Sequence, residues 1–184
     1  MRRRLRCLIV AAPIVVGCSG TSDDMREAPP SVTDSTAVAS TGGTTAFGDD
    51  VGLRVLVSAN SFEKTLAQAE AAVNDEGLAI IARVDHSAAA QKAGLDLAPS
   101  TVLIFGRAEA GTPLIAMAPT AAIDLPAKLL IWQERGGEAG GMVRVVFNEP
   151  AYLAWRHDIP ADAEPLVDIG AAVARIASQA VKPR

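Results

Sequence analysis

Two apolar runs joined by a glycine-rich loop place the tightest limit on how this chain can fold. The runs AKLLIWQE (residues 127–134) and MVRVVFN (residues 142–148) are typical of strands, and the loop RGGEAGG lies between them. Glycine adopts the backbone conformations that tight connections need, so a short glycine loop favours a hairpin. The two strands are therefore predicted to pair antiparallel.

Hydrophobic periodicity predicts the remaining elements. Further strands are predicted for VGLRVLVSA, LAIIARVDH and TVLIFGR, at residues 51–59, 78–86 and 101–107. A helix is predicted from Asn60, whose spacing to Glu63 fits a capping box, to Gly77. Other helical segments are predicted to begin at Ser87, at Pro113, at Pro150 and at about Asp162.

The predicted element order indicates the fold class. It runs β-α-β-turn-β-α-β-β-α-α, and its short connections favour an α+β fold. We expect a two-layer sandwich with a mainly antiparallel sheet and helices on one face. Two β-α-β-β units are a further possibility, residues 51–107 and 108–148, the second without its first strand, but no residue-level repeat supports them.

The N-terminus has the layout of an export signal. Four arginines precede an apolar run from Cys7 to Gly17. These 11 residues are fewer than the roughly 20 that a membrane-spanning helix needs. The junction VVGC resembles the lipobox of bacterial lipoproteins, which implies cleavage before Cys18 and acylation of its thiol. The alternative is an ordinary secreted protein with an unmodified Cys18.

Composition changes sharply after the signal. Residues 19–50 are rich in Ser, Thr, Gly and Pro and contain too few apolar side chains to fold, so they are predicted to be a flexible tether. The predicted organisation is a signal peptide (1–17), lipidated Cys18 with the tether (18–50), an α+β domain (51–160) and a C-terminal amphipathic helix (161–184).

Charge and cysteine content exclude several partners. Loss of residues 1–17 leaves 13 basic and 21 acidic residues, a net charge of −8, which disfavours nucleic acid. Beyond Cys18 there is no cysteine for a disulfide or a metal site. We expect an exported protein, anchored to a bacterial membrane through Cys18, with a periplasmic domain. The resemblance to bacterial lipoproteins implies the outer membrane, because Ser19 follows the cysteine where an aspartate would favour retention in the inner membrane.

A set of motifs between Ser61 and Asp158 resembles the family called domain of unknown function 302. They are SFEKT, VDHSAAAQKAGL, TVLIFG, GTPLI, AIDLPAKLLIWQE and VFNEPAYLAWRH. The resemblance implies a small α+β domain that forms a homodimer, and it carries over no established activity. The helix beyond Pro160 lies outside the motifs.

The segment VDHS places Asp85, His86 and Ser87 side by side. Adjacent strand residues point to opposite faces, so these side chains cannot form a triad, and the chain has no GxSxG motif. The other histidine, His157, ends a predicted helix. Together with a carboxylate such as Asp85 or Asp158, the two imidazoles would suit a zinc-like site.

Two other interpretations of these residues stay open. His157 could interact with the helix dipole while His86 caps the next turn, or the residues could line a polar pocket for an organic ligand. Asp85, His86 and His157 are therefore the candidate ligand-binding residues. His86 and His157 are the candidate ligands of a divalent metal, and no other cofactor is evident.

Other motifs indicate structural roles. FGRAEAGTPLI lacks the spacing of a phosphate-binding loop, so Gly106 and Gly111 are predicted to lie in tight turns. Trp132 and Trp155 are expected in the core or at a dimer contact. The residues from Asp124 to Pro126 are expected to end a loop before a strand.

Three functions fit these features. The chain has an anchor, a spacer and a compact domain but no recognisable catalytic set, which favours a module that binds an unknown small molecule or an envelope protein and disfavours an enzyme. The first alternative is an enzyme or metal-binding protein that uses His86 and His157. The second is a structural envelope protein acting by dimerisation, which predicts an exposed apolar patch and no pocket.

Overall fold

The computed structural model describes residues 52–136 and 141–183. The predicted signal peptide, Cys18 and the tether lie outside the described residues. Within the described ranges, no helix is both long enough and apolar enough to cross a membrane.

Five strands form one antiparallel sheet, which confirms the α+β class. They are β1 (Leu53–Ser58), β2 (Ala79–Asp85), β3 (Ser100–Gly106), β4 (Ala127–Gln133) and β5 (Val143–Asn148). Their spatial order is β1-β5-β4-β3-β2. The predicted hairpin is present, since β4 pairs antiparallel with β5, with Leu130 opposite Val146.

The helices are α1 (Phe62–Asp75), α2 (His86–Lys92), α3 (Ala108–Met117), α4 (Pro150–His157) and α5 (Glu164–Ala180), with a 3₁₀ helix at Pro119–Ile123. Only Arg107 separates β3 from α3, so no strand begins the second predicted β-α-β-β unit in the described chain. In the described residues, that unit contains α3, the 3₁₀ helix, β4 and β5.

The main core lies between one sheet face and helices α1 and α5. Alternate residues of β3 and β4 point into it, among them Leu103, Phe105 and Ile131, which are fully buried. Helix α5 contributes Ile176 and Ala177, both at 0% exposure. The C-terminal helix is therefore part of the domain, and the expected boundary at residue 160 does not separate it from the core.

A second, smaller core lies where α3, the 3₁₀ helix, α4 and α5 meet. Its buried residues are Leu114, Ala121, Ala154, Ile159 and Leu166. This cluster ties the connection between β3 and β4 to the C-terminal helices. It thereby sets the position of the segment that contains Thr120 and Asp124.

Three predicted helix starts differ from the structure. Ser61, not Asn60, caps α1, because its hydroxyl accepts the Lys64 N–H, while the Asn60 amide donates to Gln68. Helix α3 begins at Ala108, so Pro113 lies inside it. Helix α2 begins at His86, so β2 ends one residue before the predicted end.

Candidate functional site

Asp85 and His86 form the start of a helix. The Asp85 carboxylate accepts the Ala88 N–H at 2.8 Å and the Ser87 hydroxyl at 2.7 Å, so it caps α2. The pKa of Asp85 lies below its ordinary value, mainly because the Ala88 N–H stabilises the charged carboxylate. The hydrogen bond from the Ser87 hydroxyl lowers this pKa further. His86 is the exposed first residue of α2. Asp85, not His86, is therefore the capping residue.

His157 lies at the other end of the domain and is buried. It ends α4, as predicted, and its Nε2 lies 2.7 Å from Asp124 Oδ2. Its Nδ1 lies 3.1 Å from the Thr120 hydroxyl. Arg156 Nε also approaches Asp124 Oδ2, at 3.4 Å. Both ring nitrogens of His157 are thus engaged by the segment before β4.

The structure does not bring the two histidines together. Asp85 is paired with Thr101, near the start of β3. Asp124 precedes β4, whose first residue, Ala127, is paired with Phe105 near the end of β3. The histidines therefore lie beyond opposite ends of the strands, about 20 Å apart along a seven-residue strand. In residues 52–136 and 141–183, no group of three His, Cys, Asp or Glu side chains could hold a metal ion.

An open pocket of about 810 Å³ lies between α3, α5 and the nearby end of the sheet. We call it the α3–α5 pocket. Phe105 and Ala127 of the sheet line it, and residues 108–113 of α3 and the connection through Leu125 and Pro126 form one side. Helix α5 forms the other side. Its volume falls within the roughly 300–1,000 Å³ of small-molecule sites.

Helix α5 lines one side of this pocket with small and apolar residues and with charged residues among them. Ile169, Ala172 and Val173 supply the apolar surface, and Glu164 and Asp168 the carboxylates. A pocket with an apolar wall and carboxylates beside it can hold a molecule that is itself part apolar and part polar.

Basic side chains also line the pocket. Arg175 Nε and Nη2 donate to the two Glu76 oxygens at 2.9 and 2.8 Å. This bidentate bond lowers the pKa of Glu76 and raises that of Arg175. Arg107 is exposed and forms no ion pair with any residue in the described part of the chain. It is therefore available to a polar group of a ligand.

Sequence reasoning missed this pocket and the partners of His157. FGRAEAGTPLI lacks the spacing of a phosphate loop, yet as the end of β3 and helix α3 it forms a pocket wall, which the predicted turns at Gly106 and Gly111 do not indicate. Gly111 lies inside α3 and not in a tight turn. Asp124 does lie before β4, as expected, but it also binds His157, and no local pattern connects residues 33 positions apart.

Comparisons with known proteins agree with the fold. The model of the family "Domain of unknown function DUF302" matches residues 54–179, which includes most of α5. The crystal structure of an uncharacterized conserved DUF302 protein from Bacillus stearothermophilus is similar, with a TM-score of 0.61 and 19% identity. The similarity covers 70% of this chain and 98% of that chain. That chain therefore consists almost entirely of a domain with this fold.

Two curated relatives are much longer proteins. Fluoride-specific ion channel FluC 1 of Brucella suis biovar 1 (strain 1330) is 36% identical over 110 residues, which is 60% of this chain and 42% of the relative. Fluoride-specific ion channel FluC 1 of Brucella abortus biovar 1 (strain 9-941) has the same identity, with 39% of its length covered. This chain thus spans less than half the length of these relatives.

Proposed function

Since the chain belongs to the DUF302 family of domains of unknown function, we propose that it is a lipid-anchored envelope protein whose α+β domain binds a small molecule in the α3–α5 pocket. The observation that carries the proposal is the pocket itself, about 810 Å³ in volume and lined by apolar and charged side chains. The ligand class that fits is a small organic molecule with an apolar body and a polar group.

The wall residues support a ligand of this kind. Ala172 and Pro126 leave room for an apolar body, because neither has a long side chain. Arg107 offers a guanidinium that no described residue pairs with, and it can donate several hydrogen bonds in a fixed plane. A polar ligand group at Arg107 and an apolar body against α5 would use both parts of the pocket.

The placement of the histidines supports binding over catalysis by His86 and His157. His157 is buried, and Asp124 and Thr120 take both of its ring nitrogens. His86 lies beyond the opposite end of the strands from that cluster. Metal analysis of the purified domain tests the alternative: stoichiometric metal that is lost in both His→Ala variants would favour a metalloprotein.

The membrane anchor is proposed from Cys18 and the tether. A chain of about 30 flexible residues has an end-to-end distance of roughly 30 Å, enough to hold the domain clear of a membrane. Several acyl chains on one residue hold a protein firmly, since each buried CH₂ contributes about 0.8 kcal/mol. Relatives named as ion channels also carry a similar domain, which supports a position beside a membrane. Their channel activity is not transferred to this chain.

The anchor is tested by replacing each cysteine. Cys18→Ser is expected to move the protein from the membrane fraction of cells to the soluble fraction or to leave its signal uncut. Cys7→Ser is the matched control, because Cys7 lies inside the apolar run of the signal. Equal behaviour of the two variants, both cleaved and lipidated as in the wild type, would contradict the proposal.

The pocket is tested with the fluorescent probe 8-anilinonaphthalene-1-sulfonate, which has an apolar body and an anionic group. The domain, residues 49–184, is expected to bind one probe molecule with enhanced emission. Ala172→Phe places a phenyl ring in the pocket and should weaken this binding. Ala116→Phe is the matched control, because Ala116 is an exposed residue of α3 that does not line the pocket. Equal binding by both variants would refute the assignment.

A further inference from the structure

An uncharged and mostly apolar segment connects β3 to β4. Residues 110–123, AGTPLIAMAPTAAI, contain no charged side chain. Met117, the last residue of α3, is 51% exposed, and Ile123, the last residue of the 3₁₀ helix, is 70% exposed. In the described part of the chain, no other large apolar side chain is as exposed as Ile123. We call residues 116–123 the apolar tip.

Several polar groups of the apolar tip are already bonded within the domain. The Thr120 hydroxyl lies 3.1 Å from His157 Nδ1. The backbone N–H groups of Ala118 and Ala121 donate to carbonyl oxygens of preceding residues, and Pro119 has no N–H group. Polar groups that are paired within the protein cost less to remove from water than unpaired ones. The apolar tip is therefore suited to apolar surroundings.

The apolar tip lies at the end of the domain where the chain enters from the tether. The described residues begin at Gly52, whose carbonyl oxygen accepts the N–H of Glu149 at the start of α4. At the other end of α4, His157 contacts Thr120 of the apolar tip. Helix α4 has eight residues and is about 12 Å long. The tether and the apolar tip therefore share one end of the domain.

The opposite end of the domain also exposes apolar side chains, but charges lie among them. Leu95 is 67% exposed and Leu97 is 46% exposed, and Asp96 lies between them in the chain. Asp96 forms an ion pair with Arg135 at 3.2 Å. Moving charged groups from water to apolar surroundings is costly. This end of the domain is therefore suited to water.

From the apolar tip we infer that the domain contacts the surface of a neutral lipid membrane, with Met117 and Ile123 inserted among the lipids. The inference rests on the proposed anchor, because a tether of roughly 30 Å keeps the apolar tip near the membrane. Confinement by the tether raises the effective concentration of lipid, so a weak contact is sufficient. An uncharged tip does not need anionic headgroups, and burial of apolar side chains drives the contact.

The test uses the mature chain, residues 18–184, with Cys18→Ser, so that no lipid is attached. Flotation with phosphatidylcholine vesicles measures the lipid concentration at which half of the protein is bound. We expect this concentration to be at or below about 1 mM. Ile123→Asp should raise it at least tenfold. Leu95→Asp, whose position is 67% exposed against 70% for Ile123, is the matched control and should leave it unchanged.

A fluorescent label gives a second measurement that does not depend on an added charge. The mature chain with Cys18→Ser has no cysteine, so Ile123→Cys or Leu95→Cys introduces a single thiol. Nitroxide-labelled phosphatidylcholine should quench a nitrobenzoxadiazole label at position 123 and should not quench one at position 95. Circular dichroism checks that each variant is folded.

Three results would overturn the inference. They are a mature chain that stays unbound at about 1 mM lipid, equal weakening by Ile123→Asp and Leu95→Asp, and equal quenching at the two labelled positions. None of them bears on the anchor, because no lipidated cysteine is present in these assays. Binding this weak is lost when cells are lysed and diluted, so the cell fractionation of Cys18→Ser still tests the anchor. Met117 and Ile123 do not line the α3–α5 pocket, so pocket binding is also measured separately.

Discussion

Replacing His157 by alanine tests whether the Thr120–His157–Asp124 cluster holds the domain together. The imidazole is 3% exposed and joins the end of α4 to the segment before β4. Nε2 is hydrogen-bonded to the Asp124 carboxylate, and Nδ1 is hydrogen-bonded to the Thr120 hydroxyl. His157→Ala therefore removes two hydrogen bonds, one of them to a charged group.

The expected cost follows from these contacts. A hydrogen bond to a charged group contributes about 1.5–3 kcal/mol and a neutral one about 1 kcal/mol. Arg156 lies 3.4 Å from Asp124 and can offset part of the loss. We expect a net destabilisation of about 3 kcal/mol. For a domain of about 130 residues, with an unfolding entropy of roughly 0.27 kcal/mol/K, this lowers Tm by about 11 °C.

Urea and thermal unfolding of the domain measure this effect. His86→Ala is the matched control, since His86 is the other histidine and is exposed. We expect it to change stability by no more than about 0.5 kcal/mol. If His157→Ala and His86→Ala lower the free energy of unfolding equally, His157 is not a structural link between α4 and the segment before β4.

Two further predictions concern a helix cap and a glycine. Asp85→Ala should cost about 1 kcal/mol at pH 7, because α2 loses its cap. The folded-state pKa of Asp85 is lowered, so its stabilisation is present above the unfolded pKa of about 3.9 and is lost as pH falls through the folded pKa. The difference in the free energy of unfolding between wild type and Asp85→Ala should be smaller at pH 3 than at pH 7. An equal difference at both pH values would contradict this prediction. Gly52→Ala should destabilise by about 2–4 kcal/mol, since Gly52 has a φ of 70° and a Cβ there would collide with the Tyr152 ring. Gly77→Ala is the control, because Gly77 has a φ of 67° but no atom within 4 Å of an added Cβ, so this variant measures the backbone strain alone. Equal melting temperatures for the two variants would contradict the predicted collision with Tyr152.

The strands were predictable because their signals are local. The glycine loop and the apolar runs on either side are sufficient to predict the β4–β5 hairpin, because all three lie within residues 127–148. Helix α3 was predicted to start at Pro113 because proline favours the first turn. Its actual N-cap, Arg107, makes no side-chain capping bond, so no sequence signal marks the start.

The sheet order and the sites depend on contacts between distant residues. The pairing of β1 with β5 joins Val55 to Val146, and no local spacing indicates this partner. Strands β3 and β4 are apolar on both faces, so the pattern did not reveal which face the helices leave open. His157 meets Asp124 and Thr120 only after α4 folds against the 3₁₀ helix. Tertiary packing decides each of these features.

The most direct test of ligand binding in the α3–α5 pocket is an amide NMR titration of the domain with the anilinonaphthalene probe. The account predicts that the largest shifts appear at Gly106, Arg107, Gly111 and Ala172, which line the pocket. It also predicts small shifts at Val57 and Val102, which lie on the sheet face that points away from α1 and α5. Largest shifts on that face, with the pocket residues unchanged, would contradict the proposed function.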